Sequence, residues 1–294
     1  MPVTTPGNAI GRMNRNEIVC RPKNEYRWTA SAASVPRTSA RAVAIVATMI
    51  ELRNAEMRVG FDAASPNHLN VKPVGGQAWD SLRRMTDALA AVVDVRLRPP
   101  RQGDTDDGHG LLLDEPGYDR WASLLATGAA LFGPAPWWPA SPWSDVRTAL
   151  WTRLATRPLP GGARPECRPS LFRDAGMAIL RDHDGRPDEL WCRTDHGPHG
   201  YLSIAAHAHA DALAIEFRAG GVDLLADPGT YCYAAEPSWR AYFRSTLAHN
   251  TLEVGGIDQS VAVGPHLWTR HAPAVLERAA GLDGGPVAEW RAAH

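Results

Sequence analysis

The sequence predicts an α+β protein in which helices come first and antiparallel strands follow. Two observations carry this expectation. Between Gln77 and Ala155 the apolar residues recur at three- and four-residue spacing, and beyond a Pro/Gly-rich stretch, Pro158 to Pro169, the recurrence drops to two. The chain has 294 residues, 44% hydrophobic and 21% charged, which is enough for one large domain or two ordinary ones with real cores.

Residues 1–75 show weak periodicity and many breakers, with one candidate helix from Ala42 to Met57. Trp79, Leu82, Met85, Leu89 and Val92 then mark an amphipathic helix with one buried stripe, and Asp80, Arg83, Arg84 and Asp87 fall between them. Pro and Gly punctuate both ends of Pro99 to Gly108, so that segment is a loop. A second helix is expected over Tyr118 to Phe132, closed by Gly133 and Pro134. A third is expected over Ser141 to Ala155, with Ser141 as N-cap, Pro142 in the first position and Asp145 near the positive helix end. The organisation is therefore a poorly patterned segment 1–75, a helical unit 76–157 and a β unit 170–294.

In the β unit, strands are expected at Ala175 to Arg181, Leu190 to Thr194, Ala212 to Arg218, Val222 to Ala226, Asn250 to Val254 and Ala274 to Glu277. Asp184-Gly185 and Gly220-Gly221 supply turns, and the sum reads as an antiparallel sandwich.

A formal net charge of −1 gives no whole-molecule attraction to nucleic acid or to an anionic membrane. It leaves room for an acidic sugar polymer bound by a local cluster of Arg and His. The four cysteines form no Cys-x-x-Cys pair, although Cys192 and Cys232 could meet across strands. No run reaches the roughly 18 apolar residues of a membrane span. Residues 1–40 lack the basic-then-apolar order of a secretory signal, so the expectation is a cytoplasmic protein or one whose N-terminus lies further upstream.

Six of the eleven histidines fall between His196 and His266. His207-Ala-His209 would project both imidazoles to one side of a strand. The chain then returns to deliver Asp227 in Asp227-Pro-Gly-Thr, and His249 opens a further strand. Nitrogen and oxygen donors converging in this way suit zinc.

The ordered string His207-Ala-His209-Ala-Asp211-Ala-Leu213, Leu225-Ala-Asp227-Pro-Gly-Thr-Tyr231, Arg240-Ala-Tyr242-Phe-Arg244-Ser-Thr-Leu-Ala-His249-Asn-Thr and Gly256-Ile-Asp258-Gln259 closely resembles the C-terminal domain of the heparinase II/III-like family. The resemblance is strong over about residues 170–294 and looser over 77–140, where Pro100 to Gly108 also looks like the family. It implies the C-terminal part of an α/α toroid followed by a β-sandwich. It also implies a polysaccharide lyase that cleaves uronic-acid glycans, heparin- or alginate-like, by β-elimination, with members often in the cell envelope or periplasm.

Carried over by resemblance, His209, Asp227 and His249 are ligands of a structural zinc. His207 faces the substrate, and Tyr242 stands near the leaving oxygen. Arg240, Arg244 and Asn250 are implied as substrate-binding residues.

The family's helical part is longer and carries its asparagine, histidine and tyrosine upstream of the His-x-His pair. Here Ser65-Pro66-Asn67-His68 stands where a Tyr-His pair is common, with Asn67 in place of the tyrosine. The segment Ala288 to His294 resembles the start of a strand that members continue. The chain thus reads as an interior piece of the family, short at both ends. Three functional readings follow: a lyase, an impaired fragment that binds metal or acidic carbohydrate without turnover, and a zinc hydrolase with Glu216 or Asp211 as base. In the last, alternation against Ile215 turns Glu216 toward solvent.

Overall fold

The structure is a computed structural model that describes residues 76–105, 119–141, 144–154, 162–201, 203–282 and 288–294. The candidate helix Ala42 to Met57 and the Ser65 to His68 motif lie outside the described residues.

Helix α1 spans Gly76–Val92 and buries Leu82 and Leu89 against Leu124, Leu125 and Phe132 of helix α2, Arg120–Phe132. Two polar residues expected on the outer face of α1, Arg83 and Asp87, are also buried. Asp87 accepts from Arg83, from Trp138 Nε1 at 2.9 Å and from Arg164 Nε at 3.2 Å, so the segments carrying Trp138 and Arg164 cover the side of the helix that periodicity left to solvent. Burial pushes the Asp87 carboxyl up, against the pull of Arg164. Asp119 caps α2 by accepting from Trp121 N and Ala122 N, both at 3.0 Å. Helix α3, Val146–Leu154, begins later than expected. Asp145 accepts from Thr148 N at 2.6 Å in the capping position, whereas Ser141 Oγ donates to Ala122 O.

Strands β1 Leu171–Phe172, β2 Met177–Asp182, β3 Leu190–Asp195, β4 Ile215–Ala219 and β5 Val222–Leu225 form one antiparallel sheet in sequence order. Two antiparallel ribbons follow, β6 Val261–Ala262 with β7 Trp268–Arg270 and β8 Val275–Ala280 with β9 Glu289–Ala293. The fold class is α+β, as the change of period predicts.

The end of α1 docks on the large sheet. Ala91 packs with Phe172, Ile179 and Trp191, Trp191 Nε1 donates to Val92 O at 3.1 Å, and Glu189 accepts from Val95 N at 2.6 Å.

Three local expectations are corrected and one open point is settled. His207 to His209 lies in a turn and loop rather than on a strand. Asn250 to Val254 is also loop, with one isolated bridge between Val254 and Ile257. Glu216 is buried, because Pro99 to Asp104 lies across its face of β4; it accepts from Arg101 N at 2.9 Å and from Arg218 at 3.0 Å. Cys192 and Cys232 are both free thiols.

A helix absent from the expectations, α4 at Pro237–Arg244, inverts the usual amphipathic order. It buries Arg240 and Arg244 and exposes Trp239 and Tyr242. Among the described residues, no helix is long and apolar enough to cross a membrane.

His196, at the end of β3, accepts from Trp290 Nε1 of β9 at 3.0 Å, a role open only to the neutral imidazole. Burial, with Arg173 and Arg193 nearby, depresses its pKa from 6.5 to about 4. Its contribution to stability is therefore present above pH 6.5 and lost as pH falls through about 4. The urea midpoint of the wild type should fall more steeply between pH 7 and pH 4.5 than that of His196→Gln, which keeps an acceptor but does not titrate; parallel slopes would show that His196 is not responsible.

Candidate active site

The loop after α1 reaches the β unit through backbone contacts that leave little freedom. Asp104 N donates to His207 O at 2.9 Å, and Thr105 N donates to Thr230 Oγ1 at 2.6 Å. Gly103 sits at φ +60, and a Cβ there would lie 2.3 Å from His207 O, so only glycine allows the approach.

This loop delivers the Asp104 side chain into the interior, where it is fully buried. Arg240 grips it bidentately, with NH1 on Oδ1 and NH2 on Oδ2. His209 Nε2 lies 3.0 Å from Oδ1 and His207 Nδ1 lies 3.2 Å from Oδ2. Burial alone would raise the carboxyl pKa, but the hydrogen bonds from His209 and Arg240 prevail and hold it well below the usual carboxylate range.

An ionised carboxylate only accepts, so both histidines donate to it. In their neutral forms this places the remaining lone pair on Nε2 of His207 and on Nδ1 of His209. The His207 side chain is 41% exposed, so its lone pair is available at the surface. His209 is fully buried and its Nδ1 has no partner.

A second pair repeats the pattern. His249 Nδ1 lies 2.7 Å from Asp227 Oδ2, while Asp227 Oδ1 accepts from Gly229 N at 2.8 Å. Burial opposes the charged forms of both groups. The hydrogen bond between them nevertheless lowers the Asp227 pKa and raises that of His249, which also feels the charge of Asp211. His249 Nε2 is buried without a partner, and the rings of His209 and His249 are 5.1 Å apart. Asp211, Asp227 and His249 each bring a donor atom within 4.8 Å of the others. These three residues make a donor set of one imidazole and two carboxylates that fits a divalent cation.

Residues 164–292 match the family described as Heparinase II/III-like, C-terminal. That segment is a heparinase II/III-like C-terminal domain. No curated protein matches the sequence. Solved structures similar to the chain include heparinase III, the BT4657 gene product, at 17% identity and a TM-score of 0.49, covering 81% of this chain and 31% of that one. Another is heparan sulfate lyase HepC from Pedobacter heparinus, at 15% identity and a TM-score of 0.47, again covering 81% and 31%. The chain thus spans about a third of the length of these structures.

Within the heparinase II/III-like domain, the structure gathers His207, His209, Asp227 and His249 around two carboxylate–imidazole pairs. Asn250 donates to Ala226 O at 2.9 Å, beside them. Arg240 and Arg244, expected to meet a substrate carboxylate, are buried on internal partners. Arg240 holds Asp104, while Arg244 donates to Gly264 O at 2.9 Å and lies 4.4 Å from the Trp268 ring. Tyr242 is on the outer face of α4, edge-on to Trp239 and Phe243.

Three residues of the site carried no assigned role from sequence, or a different one. Asp104 lies outside the matched domain, in a loop where nothing local marks it as a hub. Tyr233 donates to Thr105 O at 2.8 Å, and its ring is 6.5 Å from that of His207 and 5.1 Å from the Arg240 guanidinium. Asp211, weighed as a base for a hydrolase, lies beside Asp227 and His249. The available signal was the Asp211 side of the His-x-His-x-Asp run, in which three chemistry-bearing residues alternate.

Two mutational outcomes follow. Gly103→Ala should lower stability by about 2–3 kcal/mol in urea unfolding, by strain at positive φ and by the clash with the His207 carbonyl. Asp104→Ala should cost about 3–5 kcal/mol, because it strands a buried guanidinium, whereas Asp104→Leu combined with Arg240→Met should recover most of that loss. Equal stability for the single and double variants would mean that the ion pair is not what the fold depends on.

Proposed function

We propose that the chain acts as a polysaccharide lyase on a uronic-acid-containing glycan, heparin- or heparan-like or alginate-like, by β-elimination around a structural zinc. The observation that carries this reading is the Asp104–His207 pair, whose histidine belongs to a heparinase II/III-like domain: a half-exposed imidazole with its ring oriented from the buried side.

β-Elimination removes the proton α to the uronate carboxylate, spreads negative charge onto that carboxylate and protonates the departing glycosidic oxygen. His207 Nε2 takes the proton. The resulting imidazolium keeps its Nδ1–H on Asp104, whose charge stabilises it. Tyr242, 41% exposed, is the proton donor assigned to the leaving oxygen. His209, Asp227 and His249 are the residues that would hold a zinc, which when bound would supply fixed positive charge between the loops of the site.

A second reading has one observation in its favour. Arg240 and Arg244, the arginines assigned to the substrate carboxylate, both face inward. On that reading the chain binds cation or acidic carbohydrate without turning it over.

The test is incubation of the zinc-loaded chain with heparan sulfate, heparin and alginate, followed by the ultraviolet absorbance of the unsaturated uronate product. The lyase reading expects turnover, and a fall in kcat of about 10²–10⁴ in His207→Ala. No unsaturated product from any acidic glycan, from protein that has taken up zinc, would leave the non-catalytic reading standing instead.

A further inference from the structure

A β-elimination needs two groups side by side, because the acidic proton and the carboxylate that takes up its charge sit on the same carbon. The proton is assigned to His207. The arginines assigned to the carboxylate are buried on internal partners, and Asn250 already donates to Ala226 O. We infer that His266 is the residue that binds the uronate carboxylate. This rests on the lyase reading of His207 and adds the group that meets the acid beside it.

His266 is exposed, in the turn that joins β6 to β7. Its ring centre lies 6.2 Å from that of His207. A base and a hydrogen-bond donor each act over about 3 Å, so two imidazoles at this separation suit a proton and a carboxylate carried by one carbon. Among the described residues, His266 makes ring contacts with His207 and Tyr233 and has no hydrogen-bond or ion-pair partner. An N–H is therefore free for a ligand, and even the neutral ring keeps one.

The turn is fixed from behind. Val263 N donates to Leu267 O at 2.8 Å, and Gly264 takes φ +80. Arg244 donates to Gly264 O at 2.9 Å, and Arg240 NH2 donates to Pro265 O at 3.1 Å. The same Arg240 guanidinium grips Asp104, and Asp104 accepts from His207. One buried arginine thus sets both the His207 ring and the backbone beside His266. Tyr233 fills the third corner. Its ring stacks on His266 at 6.1 Å, meets His207 edge-on at 6.5 Å, and is pinned by its hydroxyl to Thr105 O at 2.8 Å. An exposed imidazole packed in this way loses little further freedom when a ligand arrives. Arg240 and Arg244 then serve the substrate acid indirectly, by placing the loop whose histidine meets it.

Fluorescent alginate and heparan sulfate oligosaccharides should be titrated into full-length chain carrying His207→Ala, in which turnover does not interfere. The same titration is made with His266→Ala, His266→Gln or Arg270→Ala added. His266→Ala should weaken both probes by roughly 10–100-fold, the range of a lost hydrogen bond to a charged group. His266→Gln, which keeps an N–H donor, should recover most of that affinity. Arg270→Ala, which removes an exposed cation from β7 but no member of the ring cluster, should bind as its parent does. Heparan sulfate whose uronates have been reduced to neutral sugars should not distinguish His266→Ala from its parent. With His207 intact, His266→Ala should lose more in kcat/KM than in affinity, because charge grows on the carboxylate in the transition state. If His266→Ala lost no more affinity than Arg270→Ala, the inference would fall. An equal loss on the reduced glycan would overturn the carboxylate assignment in favour of sulfate. Binding of both probes through His266, with no turnover by the wild type, would sink the lyase reading and leave His266 as the acid-binding residue, so the two failures are separable.

Discussion

Taking the Arg240 guanidinium out of water costs several kcal/mol, and its two-pronged grip on the Asp104 carboxylate is what offsets that cost. The rest of the site is arranged around the same carboxylate. One oxygen turns His209 inward and the other orients His207 toward the surface. A structural histidine and a surface-facing one therefore share a single anchor, and neither ring can swing without disturbing the other's partner. Because the anchor is ionised and can only accept, it also decides which nitrogen each ring exposes.

The inverted helix α4 is a consequence of this arrangement. A helix normally turns its arginines out and its aromatics in, but Arg240 and Arg244 are four residues apart and both point at the buried acid and its surroundings. Trp239, Tyr242 and Phe243 are thereby displaced to the outer side, where Tyr231 stacks on Phe243 at 4.9 Å. The buried face of β4 is polar for a similar reason: Glu216 and Arg218 meet the backbone and charges of the loop from Asp94 to Arg101. Polar residues go inward in this protein wherever the chain between α1 and the sheet lies across the other elements.

That pattern explains what could be read from the sequence. Helices α1 and α2 and strands β2 to β5 are recovered within a few residues, because their period and the turns between them are local signals and each element contacts its near neighbours. The reading is poorer where a distant segment decides the outcome. Arg83 and Asp87 look solvent-facing until Trp138 and Arg164 are placed over them, and Glu216 looks solvent-facing until Arg101 is. His207 and His209 follow strand alternation on paper, yet they converge because Asp104, more than a hundred residues earlier, binds both. Likewise Asp145 outcompetes Ser141 as a cap through its hydrogen bond to Thr148 N. The donor types of the site were legible; the carboxylate that orients them was not, since its partners are all remote in sequence.

The placement of Gly103 and Asp104 bears on how this architecture can change over generations. The heparinase II/III-like segment holds the histidines and Arg240, but the acid that neutralises Arg240 is contributed from outside it, by the loop following α1. A recombination event that transplanted residues 164–292 onto an unrelated partner would carry a buried cation without its counter-ion. The helical loop and the β unit are therefore heritable only together, and drift at Asp104 is restrained by a residue that lies in a different part of the fold.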